Sequence, residues 1–441
     1  MEKTMPGFDT PLTVSRRGLL AGAGGVAVLA ALAACAPAGG GGGGSGAIKF
    51  WNMPWGNTQF TPLDKKITLG YKPKSGLPSA SYQAVQWANF TTTFASAVAS
   101  NTGPAVSSGS GTQAFQFSQQ NRIAYADHLL ESWKSNGMYD DFLPGLLDTM
   151  KTSRGYVALP YNLDMRALWY RKSLLEKAGV EPPTDWQSYL DVCEALKKIG
   201  IFGYGIAAGA QGNGAQGIVG LMINNGGGLF DHDQKPNCVT PQNIQALEFI
   251  VEMVKKGYMD PGSVSYSSSN AQAQWKNDKF AMGFEAPSLA QILGGTVQDD
   301  MRVGDPLVSA NGTKGALYFP NNIMMYKNTP SQKGSEAFLT YYYQNMKQLW
   351  TTSTGAGLPV LRSIAETPEF RADANAAKMV DVWQPVCKTW AAPGNDALFP
   401  NVALVDSTPA MSTFAQSILS LKVTPKDALS TLQKAITAGM K

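Results

Sequence analysis

Few residue types in this chain are equipped for chemistry. Only two histidines occur, His128 and His232, and neither sits at a ligand-like spacing, which weighs against zinc hydrolysis and against a Ser-His-Asp machine. The four cysteines are Cys35, Cys193, Cys238 and Cys387. Cys35 follows Leu32-Ala33-Ala34, the small-residue setting in which a thiol is acylated after cleavage. The other three are an odd set and cannot form a disulfide framework. Cys193 falls on an apolar helical face, and one bridge between Cys238 and Cys387 stays open. Residues 212–217, Gly-Asn-Gly-Ala-Gln-Gly, spell G-x-G-x-x-G, with Asp231 near the spacing of a ribose-binding carboxylate. That fingerprint needs a strand running directly into the turn, yet Ala208-Gly209-Ala210-Gln211 intervenes after the strand expected at 202–207. Ten tryptophans and sixteen tyrosines remain. Flat amphipathic rings bury the C–H faces of a sugar while polar neighbours bond its hydroxyls, so a neutral, hydroxyl-rich ligand is favoured and no cofactor or metal is expected.

The N-terminal segments prescribe where such residues would work. Ser15-Arg16-Arg17-Gly18 supplies a positive region, residues 18–34 an apolar one, and Cys35 precedes the glycine tract 39–44. This resembles a twin-arginine lipoprotein signal peptide, residues 1–34, with Cys35 as the lipidated first residue of the mature chain and 35–46 as a Gly-rich leash. The apolar run starts directly after Gly18 without the usual aromatic and lysine, so export is specified more firmly than its route. About 17 apolar residues rich in Gly and Ala are at the short limit for a membrane span. A flexible chain of eight glycine-like residues spans on the order of 15 Å, enough to hold a folded body at the outer face of the membrane without fixing its orientation.

Roughly 395 residues follow the leash, enough for two lobes. Charged residues make up 15% and the formal charge is +4, so no footprint for nucleic acid is present. Ala47-Ile48-Lys49-Phe50-Trp51 and residues 67–71 read as strands, and 82–99 as an amphipathic helix. Thr184-Asp185, Thr240-Pro241 and Thr424-Pro425 open further helices. Alternating strands and helices imply an α/β fold with sheets covered on both faces.

Residues 155–179, from Gly-Tyr-Val-Ala-Leu-Pro-Tyr-Asn-Leu-Asp-Met-Arg to Glu-Lys-Ala-Gly, are followed by Pro182-Pro183-Thr184-Asp185-Trp186. In the same order come Gly226-Gly227-Gly228-Leu229-Phe230, Phe280-Ala281-Met282-Gly283-Phe284-Glu285 and Leu358-Pro359-Val360-Leu361-Arg362. These blocks resemble the extracellular solute-binding proteins of carbohydrate ABC importers, family 1, the group that includes maltose-binding protein. The resemblance implies a type II two-lobe flytrap with hinge strands, lobes of 47–163 plus 286–340 and 164–285 plus 341–441, and crossings near 162–166, 284–287 and 338–343. It implies a monomer without enzymatic activity that closes on a mono- or oligosaccharide and is read by permease subunits.

By the same resemblance Tyr161, Asn162, Asp164 and Arg166 lie at the first crossing and Glu285 at the second. Asp164 could accept two hydroxyls while Arg166 presents a planar fork of donors. Ser288 stands where the family often has tryptophan, so Trp51, Trp55, Trp275, Trp383 and Trp390 are candidates for the stacking ring. Gln113, after the 107–112 loop, and Gly355 and Gly357 correspond to loops that reach the cleft in relatives. A glycosidase using Asp164 and Glu285 as paired carboxylates is the alternative, although Arg166 favours an ionised Asp164 over a proton donor.

Overall fold

The computed structural model describes residues 46–209, 213–352, 354–405 and 408–440. Cys35, the signal peptide and all but the last residue of the leash therefore lie outside the described residues, as does Gly212. Fourteen strands occur among them. They are β1 (Ile48–Asn52), β2 (Ala80–Ala84), β3 (Val106–Gly109), β4 (Ile123–Ala124), β5 (Lys151–Thr152), β6 (Gly155–Tyr156), β7 (Leu159–Met165) and β8 (Ala167–Arg171). The remainder are β9 (Phe202–Tyr204), β10 (Phe280–Glu285), β11 (Met301–Val303), β12 (Ala316–Tyr326), β13 (Leu358–Pro359) and β14 (Cys387–Lys388).

Two sheets organise the molecule. The larger runs β13-β7-β12-β3-β1-β2, with β4 and β14 also on β12; the smaller runs β11-β8-β10-β9, and β5 and β6 form a hairpin. A single residue, Arg166, separates the sheets along the chain: Met165 pairs with Tyr318 in the larger, and Ala167 pairs with Glu285 in the smaller. β12 is buried along its whole length, as expected of a strand covered on both faces. Its neighbour β3 ends at Gly109 opposite Asn322, and β14 covers only Ala316 and Leu317. Residues 318–321 therefore have an open edge on that side, which is where Pro320, with no N–H to donate, is tolerated. A register shift between Asn321 and Asn322 turns the strand at the same point.

Helix caps follow local chemistry. Thr240 and Thr424 accept from the backbone N–H three residues on, whereas at 184–188 the cap is Asp185, in a reciprocal box with Ser188, and not Thr184.

Several sequence expectations are corrected. Residues 67–69 end a helix, Phe60–Leu69, whose Phe60, Asp64, Ile67 and Thr68 are buried at helical spacing; that period outweighs the short β-branched run. The helix expected at 82–99 is divided, because β2 pairs parallel to β1 before a short turn leads to the helix Phe90–Ala99. Residues 338–343 lie within the helix Gln332–Asn345, with Phe338, Leu339, Tyr342 and Tyr343 buried. After β10 the chain returns to the smaller sheet as β11 before β12 enters the larger. Cys193, Cys238 and Cys387 are buried free thiols, so no bridge joins Cys238 to Cys387; burial pushes the Cys238 thiol up to about 12.

Candidate functional site

The point where β7 gives way to β8 carries a charged cluster. Arg166 Nη1 donates to Asp164 Oδ1 at 2.8 Å and to its neighbour's carbonyl, Met165 O, at 3.0 Å. Its Nε donates to Gln216 Oε1 at 2.9 Å, and the guanidinium lies over the Phe319 ring, 4.9 Å from the centroid. The arginine side chain is buried while that of Asp164 keeps 26% of its surface exposed. One carboxylate oxygen of Asp164 is thus fixed by the arginine, and the residue still reaches solvent.

Glu285 ends β10 opposite Ala167, one residue from Arg166. Its Oε2 accepts from Asn213 Nδ2 at 2.8 Å. Burial raises its pKa; the Asn213 hydrogen bond and the Arg166 charge oppose that rise, and the Asp164 charge adds to it. Asn213 and Gln216 come from the glycine-rich run that spelled a nucleotide fingerprint. Here Gly214 opens the helix Gly214–Asn224 and its N–H donates to Ala207 O at 2.7 Å, so the turn presents amide side chains toward Glu285 and Arg166. Sequence reasoning missed both residues, although the motif that contains them was visible.

The larger sheet contributes a row of amides. Asn162 is fully buried and accepts from Asn321 Nδ2 at 2.9 Å. Asn322 Nδ2 donates to Ser110 O and Gly111 O at 3.1 and 3.2 Å. Asn162 Nδ2, Asn322 Oδ1 and Gln113 Oε1 are buried without a protein partner. A buried polar group left unpaired costs about 1 to 3 kcal/mol, and these three, on β7, β12 and the helix Gln113–Gln119, each keep hydrogen-bonding capacity that a hydroxyl group could meet. Beside them two loops clasp: Asn57 N donates to Thr354 O at 2.8 Å, and Gly357, at φ +80°, lies where an added Cβ would stand 2.7 Å from Leu163 O. Gly355, at φ +71°, approaches Gly56 and Ser288.

The aromatic candidates separate. Trp55 is half-buried at the end of β1, edge-on to Trp87 at 4.7 Å and to Tyr161 at 6.2 Å. Trp87, 37% exposed, was not anticipated; its signal was a large ring next to the turn-forming Asn89. Trp390 packs edge-on against Phe319 at 5.8 Å, and its Nε1 is buried without a protein partner. Trp51 packs on Phe94, Trp275 on Phe280, and Trp383 Nε1 donates to Gly304 O. Those three are interior residues, and Trp390, 3% exposed, is buried as well, which leaves Trp55 as the one half-buried ring of the five.

Tyr161 is likewise enclosed. Its hydroxyl meets Asn52 Nδ2 at 3.2 Å and Tyr342 at 3.0 Å. Asn52 and Tyr342 both donate to Asp64 at 2.6 Å. Burial pushes Asp64 up to about 6. This network supports Trp55 from behind through Asn52 Oδ1, 3.4 Å from the indole nitrogen. His128 and His232 are exposed beside Glu336 and Asp233, and no cluster of potential metal ligands occurs among the described residues.

The structure resembles a sugar transporter from Arthrobacter chlorophenolicus A6 with bound laminaribiose, at 46% identity and TM-score 0.83 over 90% of this chain and 100% of that one. It also resembles maltose-bound MalE3 of T. maritima, at 18% identity and TM-score 0.71 over 89% and 100%, a likeness of fold. Among curated relatives, a diacetylchitobiose binding protein of Streptomyces coelicolor is 28% identical over 40% of this chain and 37% of its own length. Binding proteins of Brucella abortus match at 25% identity over 50% of this chain, which spans 54% of their length. The fold is that of the MalE-like two-lobe periplasmic binding proteins. With residues 78–349 matching the family model, the chain belongs to the bacterial extracellular solute-binding proteins.

Proposed function

We propose that the chain captures a neutral saccharide between its lobes and passes it to the permease of an ABC importer, acting as a monomer held at the outer face of the membrane through lipidated Cys35. The observation that carries this reading is the row of buried, unpartnered amide atoms of Asn162, Gln113 and Asn322. Asn162 shares β7 with Asp164 and lies beside β12, which carries Asn322, Gln113 opens the helix Gln113–Gln119, and half-buried Trp55, edge-on to Tyr161, supplies an apolar wall. Fixed amides and carboxylates suit hydroxyls, and ring edges suit sugar C–H groups.

A β-linked glucose disaccharide of the laminaribiose type is the first ligand to try, supported by the 46% identical relative. Sugar contacts on both lobes would favour the closed form by the difference in affinity, which gives a permease something to read. One lobe takes β1–β4, β7, β13 and most of β12, the other β8–β11 and the elements packed on them. We read the site as one of binding rather than turnover, because Asp164 is tied up in an ion pair with Arg166 at 2.8 Å.

Calorimetry against laminaribiose, other neutral di- and oligosaccharides, polyamines and peptides tests the reading. Saturable binding of a neutral saccharide is expected. Binding confined to a charged class, or hydrolysis of a glycoside abolished by Glu285→Gln, would overturn it.

A further inference from the structure

The end of the larger sheet opposite the clasped loops collects unpaired cations where the N-terminal segment enters. Residues 46–126 contain Lys49, Lys65, Lys66, Lys72, Lys74 and Arg122 but only one acidic residue, Asp64, which is fully buried. The five lysines are exposed. β1 and β2 are parallel, so their first residues share this end, and Ile48 N donates to Ser79 O at 2.8 Å. Lys49 O accepts from Ala105 N at 3.0 Å, Ala105 O from Tyr326 N at 2.9 Å, and Arg122 O from Lys327 N at 2.9 Å. The helix Phe60–Leu69 runs back to the same end, placing Lys72 and Lys74 in the loop that enters β2. Lys333 begins the helix Gln332–Asn345, whose Gly334 packs on Pro78.

None of these eight cations, Lys327 and Lys333 included, forms an ion pair among the described residues. Arg122 and Lys327 are held instead by Asn101 at 3.1 Å and Asn121 at 2.5 Å. The carboxylate of Glu336, on the helix of Lys333, is taken up by His128 at 2.9 Å. Gly46, the first described residue, lies beside Pro330 at this end.

We propose that this cationic end is a face that rests on anionic phospholipid headgroups and orients the tethered body. The inference builds on the lipid anchor at Cys35. From Cys35 to Gly46 is 46 − 35 = 11 residues, and a glycine-rich chain of that length spans roughly 18 Å. Such a leash keeps Gly46 near the bilayer but sets no orientation. Cations within a Debye length of about 8 Å of a negative surface do set one. Trp55 and Gln113 follow the opposite ends of β1 and β3, so the saccharide site faces away from the lipid while the body rests.

The test uses the lipidated chain on vesicles of phosphatidylcholine alone or with phosphatidylglycerol. Ser75→Cys, exposed between Lys74 and Gly76, carries a donor dye, since Cys193, Cys238 and Cys387 are buried. Energy transfer to headgroup acceptors should be higher on phosphatidylglycerol vesicles. The excess should vanish in high salt and in Lys72→Glu/Lys74→Glu/Lys327→Glu, with calorimetric sugar affinity unchanged. Equal transfer on both lipids, with the chain retained on both, overturns the cationic face and leaves the anchor standing. Retention on phosphatidylglycerol vesicles only overturns the anchor and supports the face, and retention on neither overturns both. Salt-sensitive capture by a poly(glycerol phosphate) polymer without lipid dependence assigns the face to a wall polymer and overturns the lipid reading.

Discussion

Arg166 Nη1 stands 2.8 Å from Asp164 Oδ1, and the two side chains leave β7 at the one residue that links the sheets. The arginine is buried and the aspartate is not, so the pair holds one carboxylate oxygen in place while Asp164 still reaches solvent. Asp164→Ala is expected to weaken saccharide binding by about 1 to 3 kcal/mol, roughly a 5- to 150-fold rise in Kd, with the fold retained. Calorimetry alongside circular dichroism checks this; unchanged affinity removes Asp164 from the site.

Glu285 holds its proton to higher pH than an ordinary carboxyl, chiefly through burial. Once ionised it can accept from hydroxyls with both oxygens, so affinity should rise with pH as the group deprotonates above its ordinary value of 4.5. Glu285→Gln should flatten that profile and lower affinity at neutral pH by about 1 to 3 kcal/mol. A wild-type profile in the variant counts against the assignment.

Trp55 offers a half-buried ring and Trp51, four residues earlier, an enclosed one. Trp55→Ala is expected to cost about 1 to 2 kcal/mol of saccharide affinity and to abolish most of the ligand-induced fluorescence change. Trp51→Phe should leave affinity unchanged and act on melting temperature instead. Equal affinity losses in the two variants would contradict this division.

Gly56 adopts φ +63°, where an added Cβ would lie 2.1 Å from Thr354 O. Gly56→Ala should therefore destabilise the contact between these two loops by about 1 to 3 kcal/mol through left-handed strain and the clash. Lower thermal stability is the expected result, and an unchanged melting temperature would contradict it.

Asp64 titrates at about 6 in the folded chain against 3.8 unfolded, with burial as the main cause. The folded state thus binds more protons between those values, so its contribution to stability is full below pH 3.8 and declines as pH rises through about 6. Melting temperatures across this window should show that decline superimposed on other groups, and Asp64→Asn should reduce it. An unaltered slope would mean that Asp64 is ordinary in the folded protein.

Much of the architecture was legible because long apolar periods and caps are local. The helices from Pro241 and Pro425 begin where Thr240 and Thr424 stand, and β1 falls where the alternation of Ile48, Phe50 and their neighbours placed it. The errors at 67–71 and 82–99 arose where a short β-branched or apolar run fits both periods. There the parallel pairing of β2 with β1, a contact across some thirty residues, decided the outcome.

The site divided in the same way. By itself the sequence determined its ingredients: few histidines, many rings, a carboxylate-arginine pair at a recognisable motif and glycines that free the backbone. Tertiary structure alone decided that Trp275 and Trp383 are enclosed, that Asn213 and Gln216 leave a glycine-rich turn to meet Glu285 and Arg166, and that the eight lysines and arginines gather at one end of a sheet. Composition and period report which face of an element is apolar. Whether a ring on that face meets a core or a cleft depends on what another element, distant in the chain, lays against it.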